Sequence, residues 1–128
     1  MRLLLDTHAL LWWLAGDVAL SRKARVAIAD APDAVYVSAA SVWEISTKHR
    51  LGKLPGVSAI VADLAGVMRE QQFHELPVSI RHAETAGALP GPHRDRFDRM
   101  LIAQALIEDF DLVSNERAFD AYGVRRVW

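Results

Sequence analysis

The chain has 128 residues, of which 52% are hydrophobic and 24% charged, and its formal net charge is −1. That composition fits a chain able to bury a core without disulfides or a structural metal, and excludes a disordered one. With no cysteine, thiolate metal sites are excluded as well, and the near-neutral charge gives no global basic surface for nucleic acid.

In chain order, Arg2 to Leu5 is a short apolar run ended by Asp6 and Thr7, as in a buried strand carrying polar groups at its C-terminal end. Ala9 to Leu14 is apolar on all sides and closed by Gly16, which predicts a short buried helix. Ala9 to Ala15 is the longest apolar run and too short to cross a bilayer. Asp6 and His8 break any leader-like segment, so a soluble, cytoplasmic protein is expected. Ser21 caps a second helix to about Ala29, ended by Pro32, and Ala34 to Val37 alternates like a second strand. Ser38 or Ser41 opens the next helix, which passes through Glu44 to Arg50 and stops at Gly52.

Apolar residues at helical spacing predict one helix over Val57 to Gln71, and Phe73 to Leu76 is a third strand. Ser79 caps a helix over Ile80 to Ala86, and the two glycines and two prolines of Gly87 to His93 demand a loop. Asp95 begins a long helix to about Glu108. Leu112 and Val113 form a strand, Glu116 to Tyr122 a helical turn, and Val124 to Val127 a last strand. Strands alternating with helices imply one α/β domain, residues 1–128, with a parallel sheet and helices on both faces.

Ligands of such sheets sit beyond the carboxyl ends of the strands. Asp6, Glu44, the pair Asp95 and Asp98, and Glu116 all fall there. Each alone has a plain explanation as a cap or as an acid matched to a helix dipole. Together they are costly to bury unless a cation compensates. Oxygen ligands without cysteine or paired histidines point to Mg²⁺ or Mn²⁺, and such a cluster suits hydrolysis of a phosphodiester. There is no phosphate-binding glycine loop and no GxSxG elbow. Basic residues cluster at Lys48 to Lys53 and in His93 to Arg99, where Lys48, Arg94, Arg96 and Arg99 are candidates to grip phosphates.

The segments LLLDTHALLWWL, SAASVWEISTKHRLGKL, HRDRFDRMLIAQAL and LVSNERAF resemble, in order and spacing, the PIN-domain ribonucleases, and most of all the VapC-type toxins of toxin–antitoxin pairs. The resemblance implies a three-layer α/β/α fold around a parallel sheet of four to five strands. It also implies a metal-dependent endoribonuclease holding Mg²⁺ or Mn²⁺. By position, Asp6 and Glu44 match the first two acids and Asp98 the third, with Asp95 beside it. Glu116 stands where the family usually has aspartate, with Ser114 in the hydroxyl position; Thr7 and Ser114 would orient carboxylates or touch phosphate. Glutamate at 116 and Arg96 after Asp95, where relatives commonly have proline, depart from the pattern.

The resemblance further implies a homodimer silenced by a cognate antitoxin. For that partner, Leu10, Leu11, Trp12 and Trp13, with the Trp43 helix, are candidates to form an apolar groove. Two rival readings remain open: a phosphatase with Asp6 as nucleophile, against which stands His8 where a second aspartate is needed, and a PIN-like interaction module without catalysis.

Overall fold

The computed structural model describes residues 1–128. Its centre is a single five-stranded, wholly parallel sheet of order β3-β2-β1-β4-β5, with β1 Leu3–Leu5, β2 Val35–Ser38, β3 His74–Leu76, β4 Asp111–Val113 and β5 Arg125–Val127. In register, Leu5 stands beside Val37 on one side and Val113 on the other.

The helices are α1 Thr7–Ala15, α2 Arg22–Asp30, α3 Ala39–Arg50, α4 Ser58–Val61, α5 Leu64–Gln71, α6 Ile80–Ala88 and α7 Arg96–Glu108. Short 3-10 turns cover Pro32–Ala34 and Arg117–Tyr122. The twofold alternation of strand side chains sorts the core into two layers. Leu3, Leu5, Val35, Val37 and Val113 pack with Leu10, Ile28, Ile45 and Leu64 from α1, α2, α3 and α5. Leu4 and Leu112 point the other way, against Leu101, Ile102 and Ala105 of α7 and Phe110, Phe119 and Val124. The result is the three-layer α/β/α arrangement.

Two boundaries differ from the periodicity, and a third is decided between two expected positions. The helix expected over Val57 to Gln71 is two, because Asp63 leaves helical geometry and turns its carboxylate to the Gly66 amide (2.9 Å), capping α5. The first helix begins at Thr7, since Asp6 caps it through the Ala9 amide (2.8 Å). Of the two serines that could open α3, Ser38 is the cap, accepting from the Ala40 amide (3.0 Å), while the Ser41 hydroxyl is buried without a protein partner.

The groove expected of Leu10, Leu11, Trp12 and Trp13 does not form. Leu10 and Leu11 lie in the core, because α1 follows the central strand directly and must cover it. Trp12 and Trp13 pack against that core, Trp12 beside Trp128 and Trp13 beside Phe73, and the Trp13 indole donates to Gln71 (2.8 Å). Trp43 is different: it is 59% exposed and meets only the edge of Phe97 closely among the aromatic rings.

Candidate functional site

The strand order reverses its direction of growth at β1, with β2 and β3 on one side and β4 and β5 on the other. The crevice beyond the carboxyl ends of β1 and β4 is where such sheets take ligands. A pocket of about 90 Å³ opens there, lined by Asp6, Thr7, His8, Glu44, Lys48, Asp95, Asp98, Asn115 and Glu116, without one hydrophobic residue.

Each acid arrives by its own element. Asp6 leaves β1 and caps α1, Asp95 caps α7 through the Phe97 and Asp98 amides (2.9 and 3.1 Å), and Glu116 caps the 3-10 turn through the Ala118 amide (3.3 Å). The capping explanation is therefore realised for these three, and it uses one oxygen of each. Glu44 has no such role. It sits midway along α3, only 3% exposed, and its partners are the Thr7 hydroxyl (2.5 Å to Oε1) and the Lys48 ammonium (2.5 Å to Oε2). A carboxylate held that deep without a capping duty marks a functional site rather than a helix end.

Burial pushes the Asp6 carboxyl above its ordinary range, opposed by hydrogen bonds from Ser114 and Ala9. Burial also raises Asp98, to about 6, against the hydrogen bond from His93 and with the Asp95 charge adding to the rise. Both shifts say that the pocket resists negative charge and gains from a cation. The Lys48 ammonium is pushed up by its hydrogen bond to Glu44.

No three His, Asp or Glu side chains already converge on one coordination point. Glu44 is turned to Thr7 and Lys48, and Asp98 lies 2.9 Å from His93 Nε2. The donor set nevertheless fits a hard divalent cation: five carboxylates face one apolar-free pocket, and only one lysine balances them.

Among the expected helpers, Thr7 holds Glu44, and Ser114 is fully buried beneath Asp6, where its hydroxyl accepts from the Glu116 amide (2.9 Å). Lys48 lines the pocket, but Arg94, Arg96 and Arg99 do not. Arg99 is unavailable to phosphate. Its guanidinium donates to the carbonyls of Ala86 (3.0 Å), His93 (3.0 Å) and Leu89 (2.5 Å), so it ties down the loop after α6. Arg96 lines a separate apolar cleft of about 430 Å³ with Trp43, Phe97 and Met100. His8, at the start of α1, lines the pocket, and Asn115 and His93 join the site without having been assigned to it. A lone histidine beyond a Pro/Gly loop carries no periodic signal, so only the folded loop brings His93 to Asp98.

One consequence can be measured directly. Below about pH 4 both folded and unfolded chains hold the Asp98 proton; between there and about 6 the folded chain holds more. The contribution of Asp98 to stability is thus present at low pH and lost as pH rises through about 6. In chelator, Asp98→Asn should remove that decline, making the variant more stable than the parent at pH 7 by thermal unfolding but not at pH 4. Equal melting temperatures at pH 7 would refute it.

The family description PIN domain matches residues 3–124 of the chain. A curated relative, Ribonuclease VapC16 of Mycobacterium tuberculosis, is 36% identical over 73 residues, 57% of this chain and 49% of that protein. The match thus spans about half of the relative's length. Among solved structures, VapBC2 from Rickettsia felis bound to a promoter DNA fragment superposes with TM-score 0.72 at 13% identity, covering all of both chains. DNA-bound VapBC from Salmonella typhimurium superposes with TM-score 0.70 at 17% identity, covering 98% of this chain and 96% of that one. At these identities the two structures speak for the fold.

Proposed function

We propose, from the premise that the chain belongs to the PIN-domain family, that it is a divalent-metal-dependent endoribonuclease, the toxin of a toxin–antitoxin pair. The observation that carries the reading is Glu44: a carboxylate buried in mid-helix, facing four further acids in a pocket with no apolar wall. The likeness to a protein named as a ribonuclease supports the substrate class.

Asp6, Glu44 and Asp98 would hold the cation, with Asp95 beside Asp98 and Glu116 serving a second ion or a water; all five line the pocket. A bound Mg²⁺ or Mn²⁺ supplies Lewis-acid polarisation of the phosphoryl oxygen and a water of lowered pKa. The chain's own groups do the positioning. Thr7 holds one oxygen of Glu44, Ser114 holds Asp6 and His93 holds Asp98, so the carboxylates that line the pocket are oriented by neighbouring side chains. The Lys48 ammonium stands at the same pocket, ready for the negative charge of the RNA backbone. Arg94 and Arg96 flank Asp95 on the exposed surface and can extend that grip.

The partner is an antitoxin, a reading supported by the toxin–antitoxin complexes among the structural neighbours. Trp43, Val78 and Arg96 around the 430 Å³ cleft, with exposed Ile80 nearby in sequence, offer apolar surface for an antitoxin or for the second copy of a homodimer. The proposed setting is cytoplasmic; no helix is long and apolar enough to cross a membrane.

The test is cleavage of single-stranded RNA by the purified chain with Mg²⁺ or Mn²⁺, then with EDTA, then with metal restored. Cutting that stops with chelator and returns with metal is the expected result. Cutting indifferent to EDTA, or an acid-labile phosphoryl-enzyme in its place, would replace this reading with another.

A further inference from the structure

We propose that Lys48 is a tethered counter-ion of the carboxylate pocket: its ammonium occupies Glu44 until a divalent cation binds, and the cation displaces it. The inference rests on the reading of Glu44 as a metal ligand and adds a competitor for that ligand.

Glu44 has two oxygens and two partners. Oε1 accepts from Thr7, itself buried and fixed at the start of α1, while Oε2 accepts from Lys48 Nζ, one helical turn further along α3. The two partners differ in what it costs to move them. Thr7 is locked by packing, whereas the Lys48 side chain is one-third exposed and this is its one side-chain hydrogen bond. A long lysine stem can swing its ammonium into water with little loss.

The pocket also explains why a cation of the chain's own is kept there. Asp6, Asp95, Asp98 and Glu116 share the pocket with Glu44, and Lys48 is the one lysine or arginine that lines it. Carboxylates crowded together without a compensating charge raise the energy of the folded chain. A single positive charge offsets that crowding partly; a doubly charged ion does so better and prefers the same oxygens. An ammonium and a divalent ion on the same oxygen repel one another at close range, so the two compete for Oε2. Binding of the divalent ion therefore frees an ammonium that already lines the pocket.

Two measurements on the full chain separate this from a fixed ion pair. The first is Mn²⁺ affinity by calorimetry for the parent, Lys48→Met and Glu44→Gln. Loss of the competitor should tighten Mn²⁺ binding in Lys48→Met about tenfold, while Glu44→Gln should weaken it. The second follows the side-chain Cε–H signal of Lys48, one of three lysines in the chain, during a Mg²⁺ titration of the parent. It should move to the position of a free lysine in step with metal binding. Unchanged or weaker Mn²⁺ binding in Lys48→Met, or a Lys48 signal that stays in place at saturating Mg²⁺, overturns the counter-ion role. Undiminished Mn²⁺ binding by Glu44→Gln instead overturns the assignment of Glu44 as a ligand, and with it the reading on which this rests.

Discussion

Glu44→Gln should lower the rate of RNA cleavage by on the order of 10³-fold, about 4 kcal/mol of transition-state stabilisation, while leaving the chain folded. The two halves of this expectation come from the same geometry. An amide in place of the carboxylate keeps the shape of the side chain and can still accept from the Thr7 hydroxyl, so the packing of α3 against α1 survives. What it loses is the negative charge and the anionic oxygen that a hard cation requires. The Lys48 ammonium is left without its partner, but it is one-third exposed and turns to water instead. Removing one of five crowded negative charges also relieves repulsion in the pocket, which offsets the lost ion pair. Cleavage assays and thermal unfolding on the same preparation decide the matter. A variant that cuts RNA as fast as the parent would rule out Glu44 as a ligand; one that fails to fold would show that the residue is there for structure.

Arg99→Met should cost about 3 kcal/mol of stability, or a fall of about 10 °C in Tm. Three backbone carbonyls, at Ala86, Leu89 and His93, accept from this one guanidinium, and these residues span the end of α6 and the Pro/Gly loop that follows. Methionine matches much of the apolar stem but leaves all three carbonyls without their charged donor. Lysine should rescue little, because a point charge cannot serve three acceptors in a planar fan. The loss should reach the site as well. The loop ends at His93, whose ring meets Asp98 at 2.9 Å and whose amide donates to the Tyr122 hydroxyl (3.1 Å). A stability change under about 1 kcal/mol in urea unfolding would mean that the loop is held by other contacts.

Arg99 also shows the limit of reading charge from a sequence. His93-Arg94-Asp95-Arg96-Phe97-Asp98-Arg99 reads as a basic stretch with two acids in it, and nothing in the string separates its three arginines. Helical geometry does. Arg99 follows Asp98 by one position and so faces about a hundred degrees away, toward α6, where unsatisfied carbonyls wait. Arg96 lies on the face beside Trp43, and Arg94 precedes the helix altogether. Arg96 and Arg99 line the same cleft, yet of the three arginines only Arg99 is tied to the loop carbonyls.

The strands and most helices were legible because their signals are local. The unbroken apolar run of β1, serine and aspartate caps at Ser21, Ser79 and Asp95, and glycine stops at Gly16 and Gly52 each act within a few residues. The division of 57–71 was hidden, since apolar spacing continues through the break and only the Asp63 side chain marks it. The acids were legible too, by their place after strands and by the family pattern, for both are properties of the linear order.

The parallel α/β plan, the PIN resemblance and the choice of the five acids could all be read along the chain. Those depend on periodicity, caps and spacing, which the chain carries locally. The tertiary structure alone decided which acids carry a second duty and which basic residue answers them. Asp6, Asp95 and Glu116 cap helices, Glu44 has no such task, Lys48 faces the pocket and Arg99 turns from it. The physical reason is that a carboxylate's environment is set by groups distant in the chain. Thr7 lies 37 residues from Glu44, and neither residue reveals that contact until the sheet brings α1 beside α3.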